Sequence, residues 1–310
     1  MSLSTAHLER GAVKLGTLTV GAGPAVVIGG PGADARWINL RDHHGRVRAA
    51  EAVAAVRAEW AGPILVEPFS TGDLPEIAQN ADGVVVGAAW MQDFQLVRAV
   101  ARLGLPVLVQ RGPAATLEEW LAIADYCVAE GNDRVVLCES GSRTHLAGVT
   151  VDLALMRAAR ERSGRPVLVD LGEDPALAAA AIAAGADGLL LAPDATGQAV
   201  LAAQEAVRII GAVTRRETPE SILAARGAID RVDAALAVLL ERRAELAGTV
   251  QRLKPVGGFA GRDMDRERRL VAEMARRAPT LGEVRLAPIM NAVIEAGLHL
   301  AEERRANGQP

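Results

Sequence analysis

The strongest constraint on the fold is a change of period near residue 214. From residue 25 to about 213 the chain repeats one unit: a short run of Val, Leu and Ile, a turn, then an alanine-rich stretch. The runs are AVVIGG (25–30), PILVEP (63–68), GVVVGA (83–88), PVLVQRG (106–112), RVVLCESG (134–141), PVLVDLG (166–172) and GLLLAP (188–193). Apolar runs without alternation predict strands buried on both faces, as in a parallel sheet. Repeated strand–helix units build a barrel or a doubly wound sheet. No GxGxxG and no GxxxxGK[ST] follows any run, which disfavours a dinucleotide or P-loop fold and leaves a (β/α) barrel as the expectation. Seven runs are one short of closure, so the expected barrel is incomplete.

Residues 214–221 (TRRETPES) are polar and contain a proline, the pattern of a linker between a domain at 1–213 and another at 222–306. Beyond it Ile222, Ala225, Ile229, Val232, Leu236, Leu239, Arg243, Leu246, Val250 and Leu253 are spaced alternately by three and four. That heptad seam predicts one long helix packed against another helix. Arg243 interrupts the seam, and an unpaired buried guanidinium is costly. It either bends to the surface or a buried Glu, or it marks an anion site inside a helical bundle.

Arg226 and Lys254 each follow a seam position and stand 28 residues apart, roughly 42 Å on one helix. They cannot hold one small ligand within a chain. Arg243 and Lys254, roughly 16 Å apart by the same rise, can converge. Arg226 reaches them only from an antiparallel second copy, which predicts a symmetric dimer with composite sites. After the break at Pro255-Val-Gly-Gly, Asp263 is the expected N-cap of a second helix over 262–278, with Arg266 and Glu267 in its first turn. Arginine is unfavourable there, so Arg266 implies either an anionic partner or a solvated charged face. A third helix is expected from Pro288 to Arg305, with Leu286, Ile289, Val293, Ile294, Leu298 and Ala301 as its inner face.

Composition narrows the chemistry. The formal net charge is −4, which argues against a nucleic-acid partner. Only Lys14 and Lys254 are lysines, every other basic residue being arginine, so Schiff-base or lysine-base chemistry has two candidates. Cys127 and Cys138 lie in apolar surroundings and read as small buried hydrophobes, with no disulfide framework. The N-terminal residues lack the apolar stretch of a signal peptide, and no run of about 18 apolar residues is present. No membrane association and a cytoplasmic location are expected.

The C-terminal segment AARGAIDRVDAALAVLLERRAELA…K…RDMDRERRL…EAGLHLAEE closely resembles the all-helical class of chorismate mutase over some 85 residues, a three-helix domain forming an intertwined dimer. The resemblance implies catalytic roles for Lys254 at the ether oxygen and a carboxylate, Arg243 at a substrate carboxylate and Glu267 at the ring hydroxyl. Asp263 and Arg266 would lie around the ring, and Arg226 would come across the dimer. The reaction is the pericyclic rearrangement of chorismate to prephenate. It requires a dicarboxylate held in a compact diaxial conformer and negative charge stabilised on the breaking ether oxygen, with no cofactor, metal, nucleophile or base. One departure is Ala301, where the family carries a glutamine beside the lysine; Glu302 follows and Gly297 lies a turn earlier. It leaves open a mutase or pyruvate lyase acting on aminodeoxychorismate or isochorismate.

Residues 86–144 resemble the core of 3-deoxy-D-arabino-heptulosonate 7-phosphate (DAHP) synthase, and LGTLTVGAGPAVVIGGPG resembles its preceding hairpin and first strand; the likeness covers most of 8–195. Some members of that family carry a fused chorismate mutase domain. Its functional residues are mostly replaced. The metal cysteine is Gly32, the lysine of Lys-Arg-Gly is Gln110, the first arginine of Glu-Arg-Gly-x-Arg-Thr is Ser140, and the metal glutamate is Ala192. The Lys-Pro-Arg-Thr-Ser-Pro loop is absent, the chain between the first two strands is shorter by a strand's worth, and VDLGEDP lacks the metal histidine. Arg111, Glu139, Arg143 and Thr144 remain; structural ion pairs are favoured for the charged three over a remnant anion pocket. His7, His43, His44 and His145 are not placed to rebuild a metal site. The expectation is a barrel without synthase activity, serving as a scaffold or as a docking surface for another enzyme of the shikimate pathway. A purely regulatory or scaffold protein is the non-enzymatic alternative.

Overall fold

The computed structural model describes residues 11–145, 148–254, 256 and 258–307; His7, Pro255 and Gly257 lie outside them. Contacts divide the chain into two compact units that meet between Val232 and Asp233.

In the first unit, β1 (Val13–Leu15) and β2 (Leu18–Val20) pair antiparallel, as the hairpin resemblance leads one to expect. The chain continues through β3 (Val26–Gly29), β4 (Ala35–Asn39), α1 (Ala49–Arg57), β5 (Ile64–Glu67), α2 (Leu74–Asn80), β6 (Gly83–Val86), α3 (Phe94–Ala101), β7 (Val107–Gln110), α4 (Leu117–Ala129) and β8 (Val135–Glu139). A small hairpin of β9 (Ser142–Arg143) and β10 (Val149–Thr150) precedes α5 (Leu153–Ser163), β11 (Val167–Gly172), α6 (Ala178–Ala183), β12 (Gly188–Leu191) and α7 (Gly197–Thr214). Eight strands close a parallel barrel in the order β11-β12-β3-β4-β5-β6-β7-β8.

Closure corrects the expectation of an incomplete barrel. The eighth strand is β4, whose sequence ARWIN mixes Arg36 and Asn39 among its apolar residues and so does not read as a buried run. What is short between the first two strands is the crossover, not a strand. Parallel neighbours normally need a dozen or more connecting residues, yet only residues 30–34 separate β3 from β4. The pair overlaps only at Ile28↔Ala35 and Gly29↔Arg36. Asp34 secures the corner: its N–H donates to the Val27 carbonyl at 2.8 Å and its carboxylate accepts from the Val27 N–H at 2.7 Å.

Alternation sorts the strand residues into two cores. Ile28, Trp37, Leu65, Val85, Leu108, Cys138, Leu168 and Leu190 fill the barrel, joined by Val13, Leu15 and Val20 of the β1–β2 hairpin. Val27, Ile38, Val66, Val86, Val109, Leu137, Val169 and Leu191 face the surrounding helices. Both cysteines are buried and unbonded, and desolvation pushes the Cys127 thiol up to about 11 and the Cys138 thiol well above its ordinary value. They are packing residues, as their apolar neighbours imply.

After α7 the chain enters α8 (Ile222–Leu253), α9 (Met264–Arg277) and α10 (Gly282–Ala306). Asp263 caps α9 as expected, its Oδ1 accepting the Arg266 N–H at 2.9 Å. The third helix starts earlier than expected and carries Pro288 inside it. Its buried residues are Leu286, Met290, Gly297 and Leu298, whereas Ile289 is exposed. Among the described residues no helix is long and apolar enough to cross a membrane.

Candidate active site

The second unit holds a cavity of about 270 Å³, near the lower end of the size range of small-molecule pockets (about 300–1,000 Å³). α8 supplies Arg243, Ala247, Val250 and Gln251, with Lys254 just past its last residue; α9 supplies Arg266, Glu267 and Leu270, with Arg262 and Asp263 just before it; α10 supplies Ile294, Gly297 and Leu298. The periodicity of α8 explains its contribution, since positions 243, 247, 250 and 254 recur on one helical face. Asp263, Arg266 and Glu267 arrive together because the cap aligns the first turn of α9.

The charges are unevenly satisfied. Arg262 bonds Glu267 twice, at 3.1 and 2.6 Å, and also reaches Glu295 at 3.2 Å and Asn291 at 2.8 Å. Those carboxylates raise the Arg262 pKa. Arg243, Lys254 and Arg266 form no ion pair among the described residues. Lys254 donates to the Gly261 carbonyl at 2.8 Å, and Arg243 only to the Val293 carbonyl at 3.4 Å. Burial lowers the Arg243 pKa, the like charge of Arg266 lowers it further, and Glu267 partly opposes both. Three cations without ion pairs thus line one cavity beside the carboxylates of Asp263 and Glu267, an arrangement suited to an anionic ligand.

Five of the six expected site residues therefore line one cavity: Arg243, Lys254, Asp263, Arg266 and Glu267. Arg226 does not; it is exposed near the start of α8. Arg262 was not anticipated, and its signal in the sequence was only a charge preceding a cap. Of the two readings of Arg243, the structure removes pairing with a carboxylate.

At the C-terminal mouth of the barrel, alternation turns Glu67, Gln110 and Asp170 inward. Glu67 is buried, which raises its carboxyl to about 7, and Arg41 lies 3.3 Å away. The Arg41 guanidinium stacks on Trp90 at 3.8 Å. Gln110 donates to Asp170 at 2.9 Å and accepts from the Ala88 N–H at 3.2 Å. Arg111 and Glu139 are 1% and 0% exposed and share bonds of 2.5 and 2.9 Å. The other Arg111 donors reach the carbonyls of Gly112, Ala115 and Gly141 and the Ser142 hydroxyl. That pair is structural, as favoured from the sequence. Arg143, His43, His44 and His145 are exposed.

Comparison with known proteins matches residues 44–192 to the DAHP synthetase I family and residues 225–302 to chorismate mutase type II. The chain joins a DAHP synthase I domain to a chorismate mutase type II domain. The DAHP synthase I domain is 34% identical over 137 residues to a phospho-2-dehydro-3-deoxyheptonate aldolase of Thermotoga maritima, covering 41% of this chain and 40% of that protein. It is 29% identical over 174 residues to a 2-dehydro-3-deoxyphosphooctonate aldolase of Verminephrobacter eiseniae, covering 47% of this chain and 60% of that one. The chain thus spans about half the length of these curated relatives. A truncated 3-deoxy-D-arabino-heptulosonate 7-phosphate synthase from Thermotoga maritima shares the barrel fold at a TM-score of 0.59 and 24% identity, covering 68% of this chain and 95% of that one. In the chorismate mutase type II domain all five cavity residues fall within the matched segment.

Proposed function

We propose that the helical domain, residues 222–306, is a chorismate mutase that rearranges chorismate to prephenate. The carrying observation is the set of three cations without ion pairs around one cavity that, among the described residues, offers no Ser, Thr, Cys or His. A pericyclic reaction needs what such a cavity supplies: fixed positive charges to hold two carboxylates close together and to stabilise charge developing on the ether oxygen. In this reading Arg243 and Arg266 take carboxylates, Lys254 reaches the ether oxygen, and Glu267, held by Arg262, faces the ring. Asp263 supports the geometry as the cap of α9.

Two copies complete the site. The seam residues Leu236, Leu239 and Leu253 are 50, 59 and 80% exposed in the single chain, and such a continuous apolar face is normally covered. An antiparallel partner covers it and brings its own Arg226 to Arg243 and Lys254.

The barrel, residues 1–213, joined through 214–221, is read as non-catalytic, a scaffold or docking surface for another pathway enzyme. The observation behind this is that its mouth residues bond one another. Incubation with phosphoenolpyruvate, an aldose phosphate and a divalent metal should leave phosphoenolpyruvate unconsumed; turnover would overturn this part. The second reading of the helical site, a chorismate analogue as substrate, is favoured by the α10 wall, where only Ile294, Gly297 and Leu298 meet the cavity. A panel of chorismate, isochorismate and aminodeoxychorismate with product identification decides between the two. Chorismate ahead by orders of magnitude supports the first; an analogue ahead by as much supports the second.

A further inference from the structure

Among the described residues, Gln251 is the one uncharged polar side chain lining the helical cavity. It lies on α8 one turn before Lys254 and about two turns after Arg243, on the face those residues share. Residues three apart on a helix are surface neighbours, about 5–6 Å between their Cβ atoms, so its amide and the Lys254 ammonium approach the cavity side by side.

The orientation of that amide is set by its partner. The Gly258 N–H donates to Gln251 Oε1 at 2.8 Å, and a backbone N–H can only donate, so the carbonyl end is the one engaged there. Gly258 has φ of +67°, a backbone conformation that favours glycine. The Gln251 NH₂ has no hydrogen-bond partner among the described residues. The opposite wall contributes no donor, being Ile294, Gly297 and Leu298. Lys254 has already spent one of its donors on the Gly261 carbonyl.

We propose that Gln251 is a catalytic residue of this site, its amide NH₂ donating, beside Lys254 Nζ, to the substrate oxygen on which negative charge develops. The inference rests on the reading of the cavity as a chorismate mutase site. A neutral donor suits that position, because it adds little attraction for the uncharged ether of the ground state and strengthens as charge builds. Arginine and lysine hold the carboxylates; the amide discriminates the transition state.

The test is steady-state conversion of chorismate to prephenate by the full-length protein and its Gln251→Ala and Gln251→Glu variants. Gln251→Glu keeps the acceptor for Gly258 and the side-chain shape but lacks the donor when ionised. Loss of one such donor should lower kcat by about 100-fold or more with KM changed less than about threefold. Gln251→Glu should in addition regain kcat toward acid pH, where the protonated carboxyl can donate, with no such limb in the wild type. A merely structural residue would not produce that profile. Should Gln251→Ala fail to fold, the Glu variant carries the test alone. Retention of wild-type kcat by Gln251→Glu at neutral pH overturns the proposal and leaves the mutase reading standing. No prephenate from the wild type overturns both.

Discussion

Arg262 grips Glu267 through two parallel hydrogen bonds, Nε to Oε1 at 3.1 Å and Nη2 to Oε2 at 2.6 Å. The fork fixes the carboxylate in one plane at the cavity wall. Arg262 is thus a positioning residue. Arg262→Met should lower kcat about tenfold by loosening Glu267, and Arg262→Lys, which keeps the charge but not the fork, should recover only part of it. Steady-state kinetics of both variants check this; unchanged kcat in Arg262→Met would show that Glu267 needs no holder.

Arg111 and Glu139 are locked inside the barrel, with every Arg111 donor engaged. Arg111→Met strands a buried carboxylate and should cost about 3–5 kcal/mol of stability. Arg111→Met with Glu139→Leu should recover much of that loss, because no charge is left unpaired. Denaturant unfolding followed by the barrel's tryptophans measures both. Equal stability of Arg111→Met and wild type would contradict a structural role.

Glu67 makes stability depend on pH with a definite sign. Burial raises its carboxyl from the ordinary value of 4.5 to about 7, against the opposing pull of Arg41. Between those values the folded chain keeps a proton that the unfolded chain has released, so this group's contribution falls as pH rises from 4.5 to about 7 and levels off above. Glu67→Gln removes that slope. Its stability relative to wild type should improve by about 2 kcal/mol between pH 5 and pH 8. Parallel curves for the two proteins over that range would refute the assignment.

The composite dimer makes a prediction about mixtures. Arg226→Ala and Arg243→Ala subunits should each be nearly inactive alone. Mixed in equal amounts and exchanged, half the dimers carry one intact site of two, so activity should return to about a quarter of wild type. No recovery after verified exchange would place both arginines in the same chain's site. Independently, Leu239→Glu in the exposed seam should shift sedimentation toward monomer.

Much of this was readable from residues alone, for identifiable reasons. Seven barrel strands announce themselves because both faces are buried and their runs are unbroken. β4 does not, because Arg36 and Asn39 interrupt it and the usual crossover helix is missing. The α10 start is not legible, because Pro288 reads as a helix beginning but sits within the helix. Arg243 and Lys254 follow from heptad spacing, and Asp263 with Arg266 and Glu267 from capping chemistry. Arg262 and Gln251 are not legible in the sequence, because the contacts that orient them, Arg262 to Glu267, Glu295 and Asn291 and Gln251 to Gly258, follow no local pattern.

In the proposed function, the three cations without ion pairs at the helical cavity bind chorismate and promote its rearrangement. The most direct measurement is the initial rate of chorismate loss, with the product identified, for the wild type and for Arg243→Ala. Prephenate is the expected product, with a rate at least about 100-fold lower in the variant. Absence of prephenate from the wild type, or equal rates in the two proteins, would contradict it.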